Sequence, residues 1–195
     1  MRFIALSFMA LLLLQGCSNS ETISGKTIEE VISKTDRISN TSVLHEEEVE
    51  KGVLIFHVPQ ISGNESTNGS KLGIEFLEKK FNNWVMSYKG GAYSNGSFQK
   101  LYHELFYIDD SMPGFYGEVR DSEIKMITIE TSGLIEEGTI IEVLQNDNAI
   151  TIWYIILDTY EEPILINGYD EKGELLYHSE YNLNTFSSGT TKVDS

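Results

Sequence analysis

Five short runs in the last third of the chain confine it to antiparallel β-structure. Residues 123–130, 138–145, 149–158, 164–169 and 174–179 are each rich in β-branched or aromatic side chains. Turn-formers separate them, notably Asn146-Asp147-Asn148 and Asp170-Glu171-Lys172-Gly173, whose side chains bond to nearby backbone or tolerate left-handed φ. No helical stretch lies between the runs, so a parallel α/β sheet is excluded in favour of a meander or sandwich.

The same pattern extends upstream. Residues 43–49 and 53–58 flank Glu50-Lys51-Gly52, which reads as a three-residue hairpin turn with Gly52 in the left-handed position. Val53-Leu54-Ile55-Phe56 is apolar on both faces, which predicts a covered, central strand. Residues 72–88 fit two patterns. Leu72, Phe76, Leu77, Phe81 and Trp84 approximate a helical face, whereas Leu72-Ile74-Phe76 and Trp84-Met86-Tyr88 alternate as strands around Asn82-Asn83. The aromatics and paired asparagines favour the hairpin. Residues 60–70 and 89–97, full of Ser, Asn and Gly, read as loops. One helix is expected, from Thr27 to about Arg37: Thr27-Ile28-Glu29-Glu30 matches a capping box, and Ile28, Val31 and Ile32 supply its apolar stripe. The predicted fold is mainly β, an antiparallel sandwich or meander with one short N-terminal helix.

The amino terminus carries a different signal. Arg2 precedes the apolar run Phe3 to Leu14, and Leu14-Gln15-Gly16 leads to Cys17. A basic start, about a dozen apolar residues and a small residue before the cut are the parts of a secretory signal peptide. A membrane span takes about twenty apolar residues, so the run is too short to be one. Leu14-Gln15-Gly16-Cys17 resembles the lipobox of bacterial lipoproteins, although Gln15 stands where a small residue is usual. That resemblance implies that Cys17 takes a diacylglycerol, that residues 1–16 are removed, and that the new amine is acylated.

The expected organisation is a signal peptide at 1–16, a lipidated tether at 17–25, one β-rich domain at 26–180 and a polar tail at 181–195. The domain is long enough to bury a core. With one cysteine in the chain and that one lipidated, no disulfide, thiol nucleophile or cysteine-bearing zinc site is available.

Charge removes further classes. The chain has 14 basic against 30 acidic side chains and a net charge of −16, and loss of Arg2 would make this 13 − 30 = −17. A nucleic-acid binder neutralises phosphates with clustered Lys and Arg, and no such cluster exists here. Electrostatic docking of the domain on anionic lipid is disfavoured for the same reason, which leaves acyl chains as the attachment.

A second resemblance rests on Phe115-Tyr116-Gly117, Asp121-Ser122-Glu123-Ile124, Ile152-Trp153-Tyr154 and Gly168-Tyr169-Asp170-Glu171-Lys172-Gly173. These are similar to the C-terminal pattern of small uncharacterised lipoproteins of bacilli. The likeness implies a compact β-rich domain on a lipid anchor and no particular activity.

Catalytic patterns are incomplete. His103-Glu104-Leu105-Phe106-Tyr107 begins like a zinc-protease helix, but Tyr107 stands where the second histidine is needed. Gly91-Ala92-Tyr93-Ser94-Asn95-Gly96 has its first glycine one residue too far from Ser94 for a nucleophile elbow. With a three-residue turn at 50–52, His45 would face His57 with Glu47 on the same side, a possible set of metal ligands that depends wholly on register. The acidic runs 46–48, 109–110, 136–137 and 161–162 read as solvated edges, without calcium-loop spacing. No metal or other cofactor and no catalytic residue is assigned.

The function expected is therefore binding rather than catalysis, by a lipoprotein held on the extracytoplasmic face of the cell membrane, with an envelope protein or glycan as partner. Tyr93 and Phe98, aromatics beside glycines in a polar loop, are the binding candidates. An envelope hydrolase with a scattered active site and a solute-capturing lipoprotein serving a transporter are the alternatives.

Overall fold

The computed structural model describes residues 22–35, 41–59, 72–90, 99–108, 113–145, 148–181 and 189–190. In chain order the elements are β1 (Ser24–Gly25), α1 (Ile28–Ser33), β2 (Thr41–Val49), β3 (Gly52–Pro59), β4 (Gly73–Lys80), β5 (Asn83–Gly90), β6 (Leu101–Tyr107) and β7 (Pro113–Val119). They continue with β8 (Met126–Thr131), β9 (Leu134–Glu137), β10 (Thr139–Gln145), β11 (Asn148–Ile156), β12 (Ile164–Tyr169), β13 (Leu175–Tyr181) and β14 (Gly189–Thr190). Three antiparallel sheets result, ordered β1-β5-β4-β3-β2, β10-β11-β7-β6 and β14-β13-β12-β8-β9. The mainly β, antiparallel reading holds. Among the described residues no helix is long and apolar enough to cross a membrane.

The four-stranded sheet lies between the other two. One of its faces presents Phe106, Tyr116, Ile152 and Tyr154 to Leu54, Phe56, Ile74 and Phe76 of the first sheet. Its opposite face presents Leu101, Phe115, Trp153 and Ile155 to Ile127, Ile129, Ile164 and Ile166 of the third. A strand covered on both sides needs apolar residues at successive positions, which is why Phe115-Tyr116 and Ile152-Trp153-Tyr154-Ile155 run without alternation. The outer face of the first sheet is covered by α1, whose Val31 packs among Val53, Ile55, Leu77 and Met86. Val53 to Phe56 is thus buried on both faces as expected, odd positions toward the helix and even positions toward the middle sheet.

The helix is shorter than expected. Thr27 caps it, its Oγ1 accepting from the Glu30 backbone N–H at 3.2 Å, while the Glu30 carboxylate accepts from Lys26 N–H at 2.8 Å. The helix ends at Ser33 with Lys34 as its C-cap, and residues 36–40 lie outside the described residues.

Residues 73–90 form the β4–β5 hairpin. Lys80 pairs with Asn83, so its two-residue turn is Phe81-Asn82 rather than Asn82-Asn83. Phe81 occupies the first turn position with φ 55° and is 99% exposed. Left-handed backbone there normally selects glycine. The β2–β3 turn is also one residue shorter than expected. Val49 pairs with Gly52 across Glu50-Lys51, and Gly52 is not left-handed; it is small because a Cβ there would lie 2.0 Å from the Leu77 carbonyl oxygen. Strands β6, β7 and β9 had no sequence counterpart. The expected polar tail instead contributes Tyr181 to β13 and Gly189–Thr190 as an edge strand on it.

Candidate functional site

Cys17, Tyr93 and Phe98 lie outside the described residues. The His45, His57 and Glu47 grouping is overturned by the two-residue turn. His45 lies opposite Phe56, with its ring centroid 6.2 Å from that ring, and its Nε2 meets Glu47 Oε2 at 2.9 Å. His57 points to the opposite face of the sheet. There its Nε2 lies 3.6 Å from Glu75 Oε1, with the two side chains 1% and 0% exposed. A Cβ on Gly73 would come within 2.5 Å of the His57 ring, so the glycine makes space for it. Among the described residues no three His, Cys, Asp or Glu side chains are placed to hold a metal.

His103 and Glu104 sit on β6, a strand, and project to opposite faces of the middle sheet. His103 faces the third sheet, where its Nδ1 lies 3.4 Å from the Tyr177 hydroxyl and its ring meets Tyr177 and Tyr181 edge-on. Burial lowers its pKa to about 4. Glu104 faces the first sheet and accepts a hydrogen bond of 2.7 Å from Tyr116. Burial first, and then the Glu104 charge, push the Tyr116 phenol well above the ordinary tyrosine range.

β6, which holds His103 and Glu104, is one edge of the middle sheet among the described residues, and half-buried tyrosines gather along it. Tyr107, at its end, lies with its hydroxyl 3.2 Å from that of Tyr160. Burial raises the Tyr107 pKa most, followed by the Tyr160 hydrogen bond and then the proximity of Tyr181 and Tyr88. Tyr88, Tyr107, Tyr160 and Tyr181 are each partly exposed. Each offers a ring face and a hydroxyl.

The positions of these rings are fixed from behind. Tyr88 packs on Phe106 at 6.1 Å between centroids, and Gly90 leaves room for its ring, since a Cβ there would lie 2.6 Å from the Tyr88 hydroxyl. Tyr181 meets Phe115 edge-on at 5.2 Å. The 157–163 connection that carries Tyr160 is pinned to β8: Thr131 Oγ1 donates to the Glu161 carbonyl at 2.6 Å and accepts from its N–H at 2.7 Å. Leu157 N–H also donates to the Pro113 carbonyl at 2.8 Å. Tyrosines held this way lose little entropy on binding, which is the property that makes them interface anchors.

Sequence reading missed this surface because its members are far apart in the chain and each looked like an ordinary strand aromatic. The one available signal was Tyr107, the last residue of the rejected zinc-motif match.

The chain matches no family model, no curated protein and no solved structure.

Proposed function

We propose that this chain is a lipid-anchored extracytoplasmic lipoprotein that acts by binding an envelope partner. The arrangement of Arg2, the apolar run, Gly16 and Cys17 supports the anchor. The observation that supports binding is the patch of Tyr88, Tyr107, Tyr160 and Tyr181, rigid aromatics half-exposed along the β6 edge of the middle sheet. Tyr93 and Phe98 lie in the segment that joins β5 to β6 in the sequence, and they remain binding candidates beside that patch. An envelope protein or a glycan satisfies this chemistry, since both present apolar faces for stacking and groups for phenolic hydroxyls.

Two measurements test the two halves. In cells given a fatty-acid probe, Cys17→Ala should lose the label and stay unprocessed or be released; equal labelling of the variant and the parent rejects the anchor. For the binding half, Tyr107→Ser and Tyr160→Ser should weaken capture of an envelope partner by about 30-fold each, the size of an interface hot spot. The Tyr93 and Phe98 double serine variant should do the same. Undiminished capture by all three variants rejects this surface, and hydrolysis of envelope glycan or ester by the purified chain, abolished by one Asp, Glu or His substitution, replaces binding with catalysis.

A further inference from the structure

Phe81 is unexplained by the fold. It occupies a left-handed turn position that favours glycine, and at 99% exposure it packs against none of the described residues. We infer that the β4–β5 turn is a membrane-contact element, in which Phe81 enters the boundary between lipid headgroups and acyl chains when the chain is anchored.

Three further observations carry this, resting on the lipid-anchor reading above. First, the flanks suit an interface. Lys79 lies 5.6 Å over the Trp84 ring, and Lys80 pairs with Glu78 at 2.8 Å, so apolar stems and ammonium groups surround the exposed ring. Second, this end of the first sheet escapes the acidity of the rest. The registers of Gly52 with Glu78 and of Gly25 with Trp84 put the β2–β3 turn, the β4–β5 turn and the start of α1 together, where Lys26, Lys51, Lys79 and Lys80 nearly balance Glu29, Glu30, Glu48, Glu50 and Glu78. The net charge of −16 that repels an anionic surface from the whole chain is therefore largely offset here.

Third, the anchor has the reach. Chain N-terminal to the domain is held on this same hairpin, because Met86 N–H donates to the Ile23 carbonyl at 3.0 Å. From Met86 to Phe81 is five residues, about 17 Å of strand. β1 runs toward the tip, so the chain before Ile23 leaves in the other direction, and the six residues from Cys17 to Ile23 span at most about 21 Å, enough to turn back along the hairpin. The tip can then lie at the plane in which a lipid on Cys17 resides. One phenyl ring holds a bilayer weakly, but an anchor makes the contact intramolecular, and a weak contact at high effective concentration suffices to orient a domain.

Fluorescence quenching by brominated lipid tests the contact. The full chain, purified from bacterial membranes, is reconstituted in vesicles of phosphatidylcholine and phosphatidylglycerol with brominated acyl chains. Phe81→Trp is compared with Leu134→Trp, placed on β9, an edge strand of the third sheet, where Leu134 is also exposed. The indole added at 81 should be quenched at least about twofold more than that added at 134, as expected of a ring at the acyl boundary. Equal quenching overturns the inference, and a tip that meets a protein instead would give that result, since the vesicles contain no other protein. If no lipid is found on Cys17, the anchor reading fails by itself; a thiol-reactive lipid coupled to Cys17, the only cysteine, then supplies the anchor and the same comparison decides.

Discussion

His103 illustrates how burial sets the behaviour of one residue. Its folded pKa of about 4 lies below the 6.5 of a free imidazole, because burial against the third sheet penalises the charged form. Between these values the unfolded chain binds more protons than the folded one, so stability falls as pH drops from 6.5 toward 4 and levels off below. The full loss is about 3 kcal/mol. Urea unfolding across this window should show the slope, and His103→Phe, which preserves the edge-on ring contacts, should flatten it; an unchanged slope would mean that other groups carry the acid sensitivity. Phe81 presents the opposite case, a residue whose conformation opposes the fold. A left-handed L-residue costs roughly 1–2 kcal/mol, part of which glycine returns through its larger unfolded entropy. Phe81→Gly should therefore stabilise the chain by about 0.5–1 kcal/mol in the same titration. A destabilised variant would mean that the exposed ring supports the turn after all.

At the scale of elements, close approach governs what sequence patterns cannot express. Trp153 on β11 extends across β7 and donates its indole N–H to the Tyr102 carbonyl on β6 at 3.0 Å. That crossing depends on Gly117, where a Cβ would lie 1.7 Å from the Tyr102 carbonyl oxygen and 2.8 Å from the indole nitrogen. Backbone cannot yield as a flexible side chain does, so Gly117→Ala should cost at least about 3 kcal/mol by overpacking and loss of the buried bond. Gly138→Ala, whose nearest neighbour would be 3.3 Å away, is the matched control; equal melting temperatures for the two would refute the crossing. The same contrast explains which parts of the fold were legible. Hairpins showed in alternation and turn residues, and Thr27 marked the helix start, because these signals are local. The β6–β7 pair was missed since its residues are buried on both faces and lose alternation, and His103-Glu104 drew attention to a helix motif instead. One residue of turn length at 50–51 was enough to send His57 to the other face, away from His45 and into contact with Glu75. The tyrosine surface was illegible for a different reason: it joins β5, β6, β13 and the 157–163 connection, which only the stacking of the sheets brings together.

For the whole molecule, the middle sheet is the decisive feature because its two faces belong to two different cores. Phe56 packs at 5.5 Å between centroids on Tyr154, which faces the first sheet, while the preceding residue Trp153 faces the third. Strand β11 cannot lose its partners on one side without releasing those on the other. The two cores should therefore unfold together, although they share few side chains. Phe56→Ala removes a large ring from one core and Ile166→Ala an aliphatic side chain from the other, both fully buried. Each should cost about 2–5 kcal/mol, or roughly 5–20 °C in melting temperature for a chain of this size. Calorimetry should show one transition in the parent and one, displaced downward, in each variant. Intrinsic fluorescence, to which Trp153 contributes from the second core, should follow Phe56→Ala as closely as it follows Ile166→Ala. Two resolved transitions, with Phe56→Ala moving one and Ile166→Ala the other, would show that the sheets fold as separate units and that the middle sheet does not couple them.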